Sequence, residues 1–374
     1  MDPATTSDSA SAQPAFRGGT PPVRPDIAAL APYVPGEQPQ GGRWIKLNTN
    51  ENPYAPSPAV IEAIQQAASG RSLAKYPDPL ATSFRTAAAE RLGVEPDWIL
   101  CGNGSDDVLT ILVRSFVGQG ESLRMPYPSY ILYRTLAGIQ GARCHEVTFD
   151  AAWSLGDSFM ASRDGLRLVV VPNPNSPSGT VLSKAWLLEA AEQLPCPLVI
   201  DEAYVDFAET DCIDLVQQCE KVIVTRSFSK SYALAGLRFG FAVARPEIIA
   251  QLTKVKDSYN CDTLSIAAAT AAIADTAWLT ETRGKILATR HRLEAALTSL
   301  GFRVQPSQAN FVWCTHPGTR HREIYEALKE QGILIRWMTF PNWGDGLRIS
   351  VGTDEEIDAF LAALTEILRQ LSTG

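Results

Sequence analysis

One lysine stands in a run of residues whose types suit covalent chemistry. The run covers residues 225–240 and reads TRSFSKSYALAGLRFG, so that Lys230 follows an apolar segment and two serines. An amine in this place can form an imine with a carbonyl compound and later carry a proton. Ser227, Ser229 and Arg238 would suit a phosphate dianion, because arginine binds phosphate through paired charge-assisted hydrogen bonds. A surface lysine on a loop is the simpler alternative. The residues of the run taken together favour a lysine that forms an imine.

Three segments share a form that would position such residues at the edge of a sheet. Residues 166–179, 197–207 and 221–230 each contain an apolar run rich in valine, isoleucine or leucine and then switch abruptly to polar residues. Strands buried on both faces have this pattern, which is typical of parallel sheets. Ligands of open α/β sheets bind beyond the carboxyl ends of the strands, so a site is expected among the polar residues.

The whole pattern predicts an α/β fold with a central, mostly parallel sheet and a smaller α/β domain, because a chain of 374 residues is long for one ordinary core. Helices are predicted over 57–69, 79–93, 106–117, 277–299, 320–331 and 353–371. The predicted divisions are a flexible N-terminal tail over 1–26, an N-terminal arm joining the small domain over 27–52, a large domain over 53–264 and a small C-terminal domain over 265–374.

Composition narrows the classes of partner and of site. The net charge is −8, whereas binding to nucleic acid or to an anionic membrane needs a basic face. The sequence shows neither a long apolar run typical of a membrane span nor the basic start and apolar stretch of a secretory signal. Its seven cysteines form no C-x-x-C pair and no Cys/His cluster. We therefore expect no metal site, and free thiols in a reducing cytoplasm.

The run around Lys230 is similar to the S-x-S-K-x-x-x-L-A-G-L-R-x-G pattern of fold-type I pyridoxal 5′-phosphate (PLP) aminotransferases. Within that family the chain most resembles the histidinol-phosphate aminotransferases, from about Ile27 to the C-terminus. The resemblance implies the fold-type I architecture, PLP as cofactor and Lys230 as the catalytic residue that holds it as an imine. It also assigns Ser227, Ser229 and Arg238 to cofactor binding.

The resemblance implies contacts to the cofactor ring as well. Asp201, directly after the apolar residues of 197–200, would keep the pyridine nitrogen protonated, and Tyr204 would contact the ring's phenolate oxygen. The loop NPNSPSG resembles the family's N-P-N-N-P-T-G loop, in which the second asparagine contacts that same oxygen. An ungapped match places Ser176 there, and we expect Asn175 beside it to serve if the loop shifts.

The resemblance also implies a phosphate contact at a helix start. The segment GNGSDD over 102–107 precedes a predicted helix, and Gly104, Ser105 and Asp106 would contact the cofactor phosphate. Glycines allow a tight turn, and N–H groups at the start of a helix bind phosphate. An ordinary Ser or Asp cap is the alternative that the residues alone leave open.

Two tyrosines match family positions at the cofactor. Tyr130 falls where the family stacks an aromatic ring on the cofactor, although Tyr127 and Tyr133 are neighbouring candidates. Tyr76 matches a tyrosine that reaches the cofactor phosphate of the neighbouring subunit. The resemblance therefore implies a homodimer with shared active sites.

Substrate binding would need anion-binding groups. Arg348 matches the family's carboxylate-binding arginine, and it stands between apolar residues, where an unpaired charge is costly. Arg336 matches an arginine that helps to hold a substrate phosphate in the histidinol-phosphate aminotransferases. Tyr33 and Asn50 match positions near the substrate in the same subgroup.

The implied reaction is the transamination of L-histidinol phosphate with 2-oxoglutarate in histidine biosynthesis, so the expected partners are a small-molecule amino donor and a 2-oxo acid. A PLP lyase such as a threonine-phosphate decarboxylase resembles the same motifs, and an aromatic amino-acid aminotransferase is a further alternative. A non-catalytic regulator of the same fold is a third class, which the lysine argues against. Carbon dioxide release would mark the lyase, and glutamate formation would mark a transaminase.

Overall fold

The computed structural model describes residues 23–31, 36–39 and 41–373. Most of the predicted tail over 1–26 lies outside the described residues, and so does the predicted substrate residue Tyr33. Among the helices of the described ranges, none combines the length and the apolar character that a membrane crossing requires.

Helices and strands alternate along most of the chain, and each predicted helix is present with ends that differ by a few residues. The α-helices are α1 (Pro25–Ala28), α2 (Pro58–Ala67), α3 (Thr82–Leu92), α4 (Ser105–Phe116), α5 (Leu132–Ile139), α6 (Lys184–Gln193), α7 (Leu215–Gln218), α8 (Pro246–Leu252), α9 (Thr263–Ala274), α10 (Thr276–Ser299), α11 (His321–Glu330) and α12 (Asp354–Thr373). The β-strands are β1 (Ile45–Lys46), β2 (Ile99–Gly102), β3 (Ser122–Tyr127), β4 (Arg143–Thr148), β5 (Leu166–Pro172), β6 (Leu198–Asp201), β7 (Val222–Ser227), β8 (Gly240–Val243), β9 (Arg303–Val304), β10 (Phe311–Thr315), β11 (Ile333–Leu334), β12 (Arg336–Phe340) and β13 (Gly344–Ser350).

Helix ends follow local signals in the sequence. Ser57 caps α2, its side chain accepting a hydrogen bond from the N–H of Val60, and Pro58 occupies the first turn, where its missing N–H costs nothing. Gly93 ends α3 in the left-handed conformation, with φ of 67°. These short signals explain why the helices could be predicted from the sequence.

The central sheet has seven strands in the order β2-β8-β7-β6-β5-β3-β4. The pairs β3–β4, β3–β5, β5–β6 and β6–β7 are parallel, whereas β8 is antiparallel to both of its neighbours, β7 and β2. The sheet is therefore mixed but mostly parallel, as predicted. The carboxyl ends of β5, β6 and β7 lie at one edge, which is where a ligand site is expected.

Helices cover both faces of this sheet. Along β5, Val169 and Val171 pack into one buried cluster and Leu168 and Val170 into another, since successive side chains of a strand point to opposite faces. The first cluster draws on α3, α6 and α9, and the second on α4, α5 and α8. Burial on both faces is the physical reason for the unbroken apolar runs in the sequence.

A second, smaller sheet is antiparallel and has the order β12-β13-β10-β9. Its buried side chains cluster with residues of α10, α11 and α12, among them Leu293, Ile324 and Phe360. The short strand β1 pairs in parallel with β11, so the segment before α2 runs alongside this part of the chain.

The predicted domain boundary at 264/265 falls inside α9. Ile266, Ala269 and Ile273 of α9 belong to the buried cluster on the central sheet, and α9 packs on α2 and α3. Leu293 and Leu297 of the following α10 belong to the cluster of the smaller sheet. The alanine-rich α9 thus packs with the larger core, and the change of core comes after it.

Candidate active site

Lys230 lies just beyond the carboxyl end of β7, at the edge of the central sheet where a ligand is expected. Its Nζ donates a hydrogen bond to the carbonyl oxygen of Thr49 at 3.1 Å. The same Nζ lies 5.8 Å from the centre of the Tyr204 ring. The structure therefore brings the predicted lysine and the predicted tyrosine together, with the N-terminal segment beside them.

Asp201 ends β6 and is only 4% exposed. Tyr133 Oη donates a hydrogen bond to its Oδ2 at 2.6 Å, and Thr225 Oγ1 donates to its Oδ1 at 3.2 Å. Burial raises the pKa of Asp201 to about 6, because the carboxylate loses its hydration, while the hydrogen bond from Tyr133 acts in the opposite direction. A buried carboxylate at this edge can stabilise a cationic group of a ligand that lies next to it.

The start of α4 and Arg238 form an anion-binding surface. Gly104 stands at the N-cap position and supplies no capping side chain for the N–H groups that begin at Ser105. Arg238 Nη1 donates to Ser229 Oγ at 3.1 Å, and Arg238 Nη2 donates to Asp106 Oδ2 at 3.4 Å. A helix start and a guanidinium that converge in this way suit a phosphate dianion.

Two glycines let the backbone approach this surface closely. A Cβ atom at Gly104 would lie 2.6 Å from Arg238 Nη2, and one at Gly240 would lie 2.4 Å from the backbone nitrogen of Ser105. Ser227 pairs with Gly240 across β7 and β8, and its Oγ accepts a hydrogen bond from a following backbone N–H at 3.2 Å. The predicted serine therefore supports the loop that carries the lysine.

Three tyrosines were candidates for a position on the cofactor ring, and the structure separates them. Tyr130 Oη donates to Asp106 Oδ1 at 3.2 Å, which places Tyr130 at the start of α4. The buried Tyr133 donates to Asp201 and meets the Tyr130 ring edge to face, with ring centres 5.6 Å apart. Tyr127 donates to a backbone carbonyl in the β12–β13 turn. Tyr130 thus stands beside the anion-binding surface, and Tyr133 lies behind Asp201.

The loop after β5 holds Asn175 and Ser176 in different surroundings. Ser129 Oγ donates to Asn175 Oδ1 at 2.9 Å, and Asn175 Nδ2 donates to Ser178 Oγ at 2.9 Å, so both ends of the buried amide bond within the protein. Ser176 Oγ instead accepts a hydrogen bond from Arg348 Nη1 at 2.9 Å. The geometry therefore favours Ser176 over Asn175 as the loop residue that faces the site.

Arg336 and Arg348 are cross-strand neighbours on β12 and β13. Arg348 Nη2 donates to the carbonyl oxygen of Asn48 at 2.9 Å, and its guanidinium carbon lies 5.3 Å from the centre of the Phe311 ring. Side chains of residues paired across two strands leave the sheet on the same face, so these two arginines place positive charge on one face, which suits a carboxylate or a phosphate.

Asn50 joins the N-terminal segment to the site. Its Nδ2 donates to Tyr204 Oη at 3.0 Å, and Ser350 Oγ donates to Asn50 Oδ1 at 2.9 Å. The Tyr204 ring meets the Phe311 ring edge to face at 5.0 Å. The two residues before Asn50 accept hydrogen bonds from Arg348 and Lys230 through their carbonyl oxygens. The N-terminal segment therefore connects Arg348, Lys230 and Tyr204.

Tyr76 lies on the surface. Its side chain is 80% exposed, and its ring stacks on that of Tyr259 with centres 4.4 Å apart. The next residue, Asn260, donates through Nδ2 to Asp107 Oδ2 at 3.0 Å. Tyr76 is thus near the outer side of the α4 start, and it is not among the residues that surround Lys230.

Some residues of the site were not identified from the sequence. Thr225 had a signal, since it opens the same motif run as the lysine. Tyr133 was named only as an alternative to Tyr130 at the cofactor ring, and its hydrogen bond to Asp201 was not predicted. Phe311 and Thr49 had no signal, because only the tertiary fold brings them to the site. Across the described ranges, no group of three or more His, Cys, Asp or Glu residues is placed to hold a metal ion.

Comparison with known proteins agrees with this geometry. The family model for aminotransferase class I and II matches residues 42–364. A histidinol-phosphate aminotransferase of Rhodopirellula baltica is 59% identical over 93% of this chain and 96% of its own length. One from Geotalea daltonii is 46% identical over 92% of this chain and 99% of its own.

A solved structure supports the same relationship. The crystal structure of histidinol-phosphate aminotransferase from Sinorhizobium meliloti, in complex with pyridoxal-5′-phosphate, is similar with a TM-score of 0.86. It is 30% identical in sequence, and the match covers 93% of this chain and 97% of that one. The fold is therefore that of the fold-type I PLP aminotransferases. Within the class I and II aminotransferases, the chain belongs to the family of the histidinol-phosphate aminotransferases.

Proposed function

We propose that the protein catalyses the PLP-dependent transamination of L-histidinol phosphate with 2-oxoglutarate in histidine biosynthesis. The observation that carries the proposal is the position of the Lys230 amine, at the carboxyl edge of the central sheet and beside Tyr204. The names of the relatives that match almost the whole chain support the choice of substrate.

The residues present fit PLP. The uncapped start of α4 and the Arg238 guanidinium suit its phosphate, and the absence of a side chain at Gly104 and Gly240 keeps that surface compact. Asp201 supplies a buried carboxylate for the ring nitrogen. We propose that Ser105, Asp106, Ser227 and Ser229 complete the phosphate site, with Tyr130 and Tyr204 at the ring.

The chain's own groups then have distinct tasks in the reaction. When bound, PLP supplies an electron sink for the carbanion at the substrate's Cα. Lys230 would hold the cofactor through its Nζ, and the same amine, once free, would move the Cα proton as base and then as acid. Asp201 holds a proton at the ring nitrogen, and the Tyr204 hydroxyl orients the ring through its phenolate oxygen.

The substrate site must accept two different anions in turn. L-histidinol phosphate carries a phosphate, whereas glutamate carries an α-carboxylate, and both suit the fork of an arginine. We propose that Arg348 binds the carboxylate and that Arg336, its neighbour across β12 and β13, takes part in binding the phosphate. Asn50 and Tyr33 are proposed to lie near the substrate, on the N-terminal side.

A homodimer with shared sites is part of the proposal. Tyr76 is an aromatic residue that is 80% exposed, and the neighbouring Leu73 and Leu80 are 58% and 43% exposed. Exposed large apolar side chains in one stretch of sequence support association with another chain. We propose that Tyr76 reaches the cofactor phosphate of the partner subunit.

The proposal extends to domain organisation and location. We propose a large domain that includes α9 and a small domain that begins with α10, because their buried residues belong to different clusters. All seven cysteines are free thiols, which supports a location in the reducing cytoplasm.

Product analysis tests the reaction type directly. Purified enzyme with PLP is incubated with L-histidinol phosphate and 2-oxoglutarate, and glutamate and carbon dioxide are measured. Formation of glutamate in equal amount to the consumed amine is the expected result. Parallel incubations replace L-histidinol phosphate with threonine phosphate or with an aromatic amino acid. Release of carbon dioxide from threonine phosphate without glutamate formation would identify a lyase, and glutamate formation only with the aromatic amino acid would identify the aromatic aminotransferase.

A further inference from the structure

Tyr133 is a buried phenol that the proposed reaction does not use. Its side chain is 1% exposed and lies on α5, packed in the cluster between the central sheet and α4. Its hydroxyl donates a hydrogen bond of 2.6 Å to Asp201 Oδ2. A phenylalanine would fill the same space without burying a hydroxyl, so the hydroxyl itself calls for an explanation.

The hydrogen bonds to Asp201 explain it. Thr225 Oγ1 donates to Oδ1 at 3.2 Å, and the N–H of Ala203 donates to the same oxygen at 3.2 Å. Each carboxylate oxygen has room for about two hydrogen bonds, so these donors fix the rotation of the group and leave an acceptor direction open. Donors to an ionised carboxylate also favour its charged form in a place where burial opposes it.

The direction of the Tyr133 hydrogen bond is fixed by charge. Burial and the nearby carboxylate of Asp201 both raise the pKa of Tyr133 well above its usual value, so the phenol keeps its proton and remains a donor. The ring is also held edge to face against Tyr130, which limits its rotation.

We propose that Tyr133, assisted by Thr225, is a positioning residue that keeps Asp201 ionised and aimed at the ring nitrogen of the cofactor. The inference rests on the proposed function, because it concerns the same site. In this proposal Tyr133 acts through the Asp201 carboxylate, to which its hydroxyl donates.

The variant Tyr133→Phe removes the hydroxyl and keeps the ring. We expect the dissociation constant of PLP from the apoenzyme, followed by quenching of tryptophan fluorescence, to rise about fivefold, because a hydrogen bond to a charged group is lost. The kcat with L-histidinol phosphate should fall about tenfold, with KM changed less than about twofold, since substrate contacts are intact.

Tyr127→Phe is the matched control. It makes the same chemical change on a neighbouring tyrosine whose hydroxyl donates to a backbone carbonyl away from Asp201. PLP affinity and kcat of this variant should stay close to those of the native enzyme. Equal values for Tyr133→Phe and Tyr127→Phe would overturn the proposal.

A double-mutant cycle with Asp201→Asn separates a positioning role from a purely structural one. If Tyr133 acts through the charge of Asp201, Tyr133→Phe should have less than about a threefold effect on PLP affinity in the Asp201→Asn background. An undiminished effect there would contradict the proposal. Should Tyr133→Phe fail to fold, the same cycle with Thr225→Val decides in the same way, because Thr225 donates to the other oxygen.

The outcome for the native enzyme distinguishes this inference from the proposed function. Native enzyme that neither binds PLP nor forms glutamate would refute the proposed function. Native enzyme that does both, with Tyr133→Phe indistinguishable from Tyr127→Phe, would refute only the role of Tyr133.

Discussion

Asp201 links the chemistry of the site to the stability of the protein. Its pKa in the folded, cofactor-free protein is raised by burial to about 6, against the usual 3.8. Between these two pH values the folded protein holds a proton that the unfolded chain has lost, so the contribution of Asp201 to stability falls as the pH rises through this window. Near neutral pH the ionised, buried Asp201 therefore lowers the free energy of unfolding of the cofactor-free protein.

The variant Asp201→Asn removes this titration. Relative to the native protein, the free energy of unfolding of the Asp201→Asn apoprotein should increase by up to about 3 kcal/mol between pH 4 and pH 7, as measured by urea unfolding. Asp354→Asn is the control, because hydrogen bonds from Arg292 and Thr289 lower the pKa of Asp354. That variant should lose stability relative to the native protein only as the pH rises to about 3.8, and its curve should run parallel to that of the native protein from pH 4 to pH 7. If the free energies of unfolding of the native protein and of Asp201→Asn changed in parallel with pH, the raised pKa of Asp201 would be contradicted.

Arg348 is expected to bind the substrate carboxylate through the geometry of its fork. Its Nη1 and Nη2 are already oriented by Ser176 Oγ and the Asn48 carbonyl, both at 2.9 Å. In Arg348→Lys a point charge replaces the planar group, so kcat/KM for the glutamate half-reaction should fall on the order of 100-fold. Arg134→Lys, which changes an exposed ion pair with Glu146, is the control and should leave kcat/KM unchanged. Equal effects of the two changes would refute the role of Arg348.

At the scale of residues, the sequence predicted types and motifs better than contacts. The proximity of Lys230 to Tyr204 could be predicted, because both follow neighbouring strands of a parallel sheet. The choice between Asn175 and Ser176 could not, since it depends on which way one side chain points in an irregular loop. The structure shows that the Asn175 amide accepts a hydrogen bond from Ser129 and donates to Ser178 and to the Pro128 carbonyl.

At the scale of elements, the close approach of β8 and α4 sets the shape of the anion-binding surface. A Cβ atom at Gly240 would lie 2.4 Å from the nitrogen of Ser105, 2.7 Å from the carbonyl carbon of Gly104 and 2.9 Å from the carbonyl oxygen of Arg226. These are backbone atoms of two different elements, so the contact cannot be relieved by turning a side chain. The spacing of β8 and α4 therefore depends on glycine.

The variant Gly240→Ala should force α4 away from β8. We expect the dissociation constant of PLP from the apoenzyme to rise at least about tenfold, because the helix start no longer meets Arg238 in the same geometry. Gly236→Ala is the control, since no atom lies within 4 Å of the position of its added Cβ. Unchanged PLP affinity in Gly240→Ala would show that α4 does not bind the phosphate.

The elements themselves were predictable to different degrees. The buried strands β5, β6 and β7 could be recognised because apolar runs on both faces end in polar residues. The antiparallel direction of β8 could not, because four buried residues, Gly240–Val243, carry no sign of strand direction. For α9, alanine on most sides gives no face that identifies its partner, so the packing of α9 on the central sheet is visible only in the structure.

At the scale of the whole molecule, a shared site makes a prediction that a self-contained site does not. Tyr76→Ala and Lys230→Ala each impair one component of the site. If Tyr76 serves the partner subunit, a mixed dimer holds one site with both native residues. Activity should therefore be recovered when the two variants are unfolded together, mixed and refolded.

The mixed dimer also shows which result would contradict a shared site. If Tyr76 served its own chain, no site in the mixed dimer would hold both native residues, and mixing would recover no activity. Refolding each variant alone is the control for recovery through refolding itself. A molecule that stays monomeric at the assay concentration would also contradict the shared site.

The central claim is that Lys230 and its surroundings perform a transamination on L-histidinol phosphate. The most direct measurement mixes the purified PLP enzyme with this substrate in the absence of a 2-oxo acid and records the absorbance spectrum. We predict that the band of the lysine-attached cofactor converts to that of its aminated form, and that Lys230→Ala shows no such conversion. An unchanged spectrum of the native enzyme would contradict the claim.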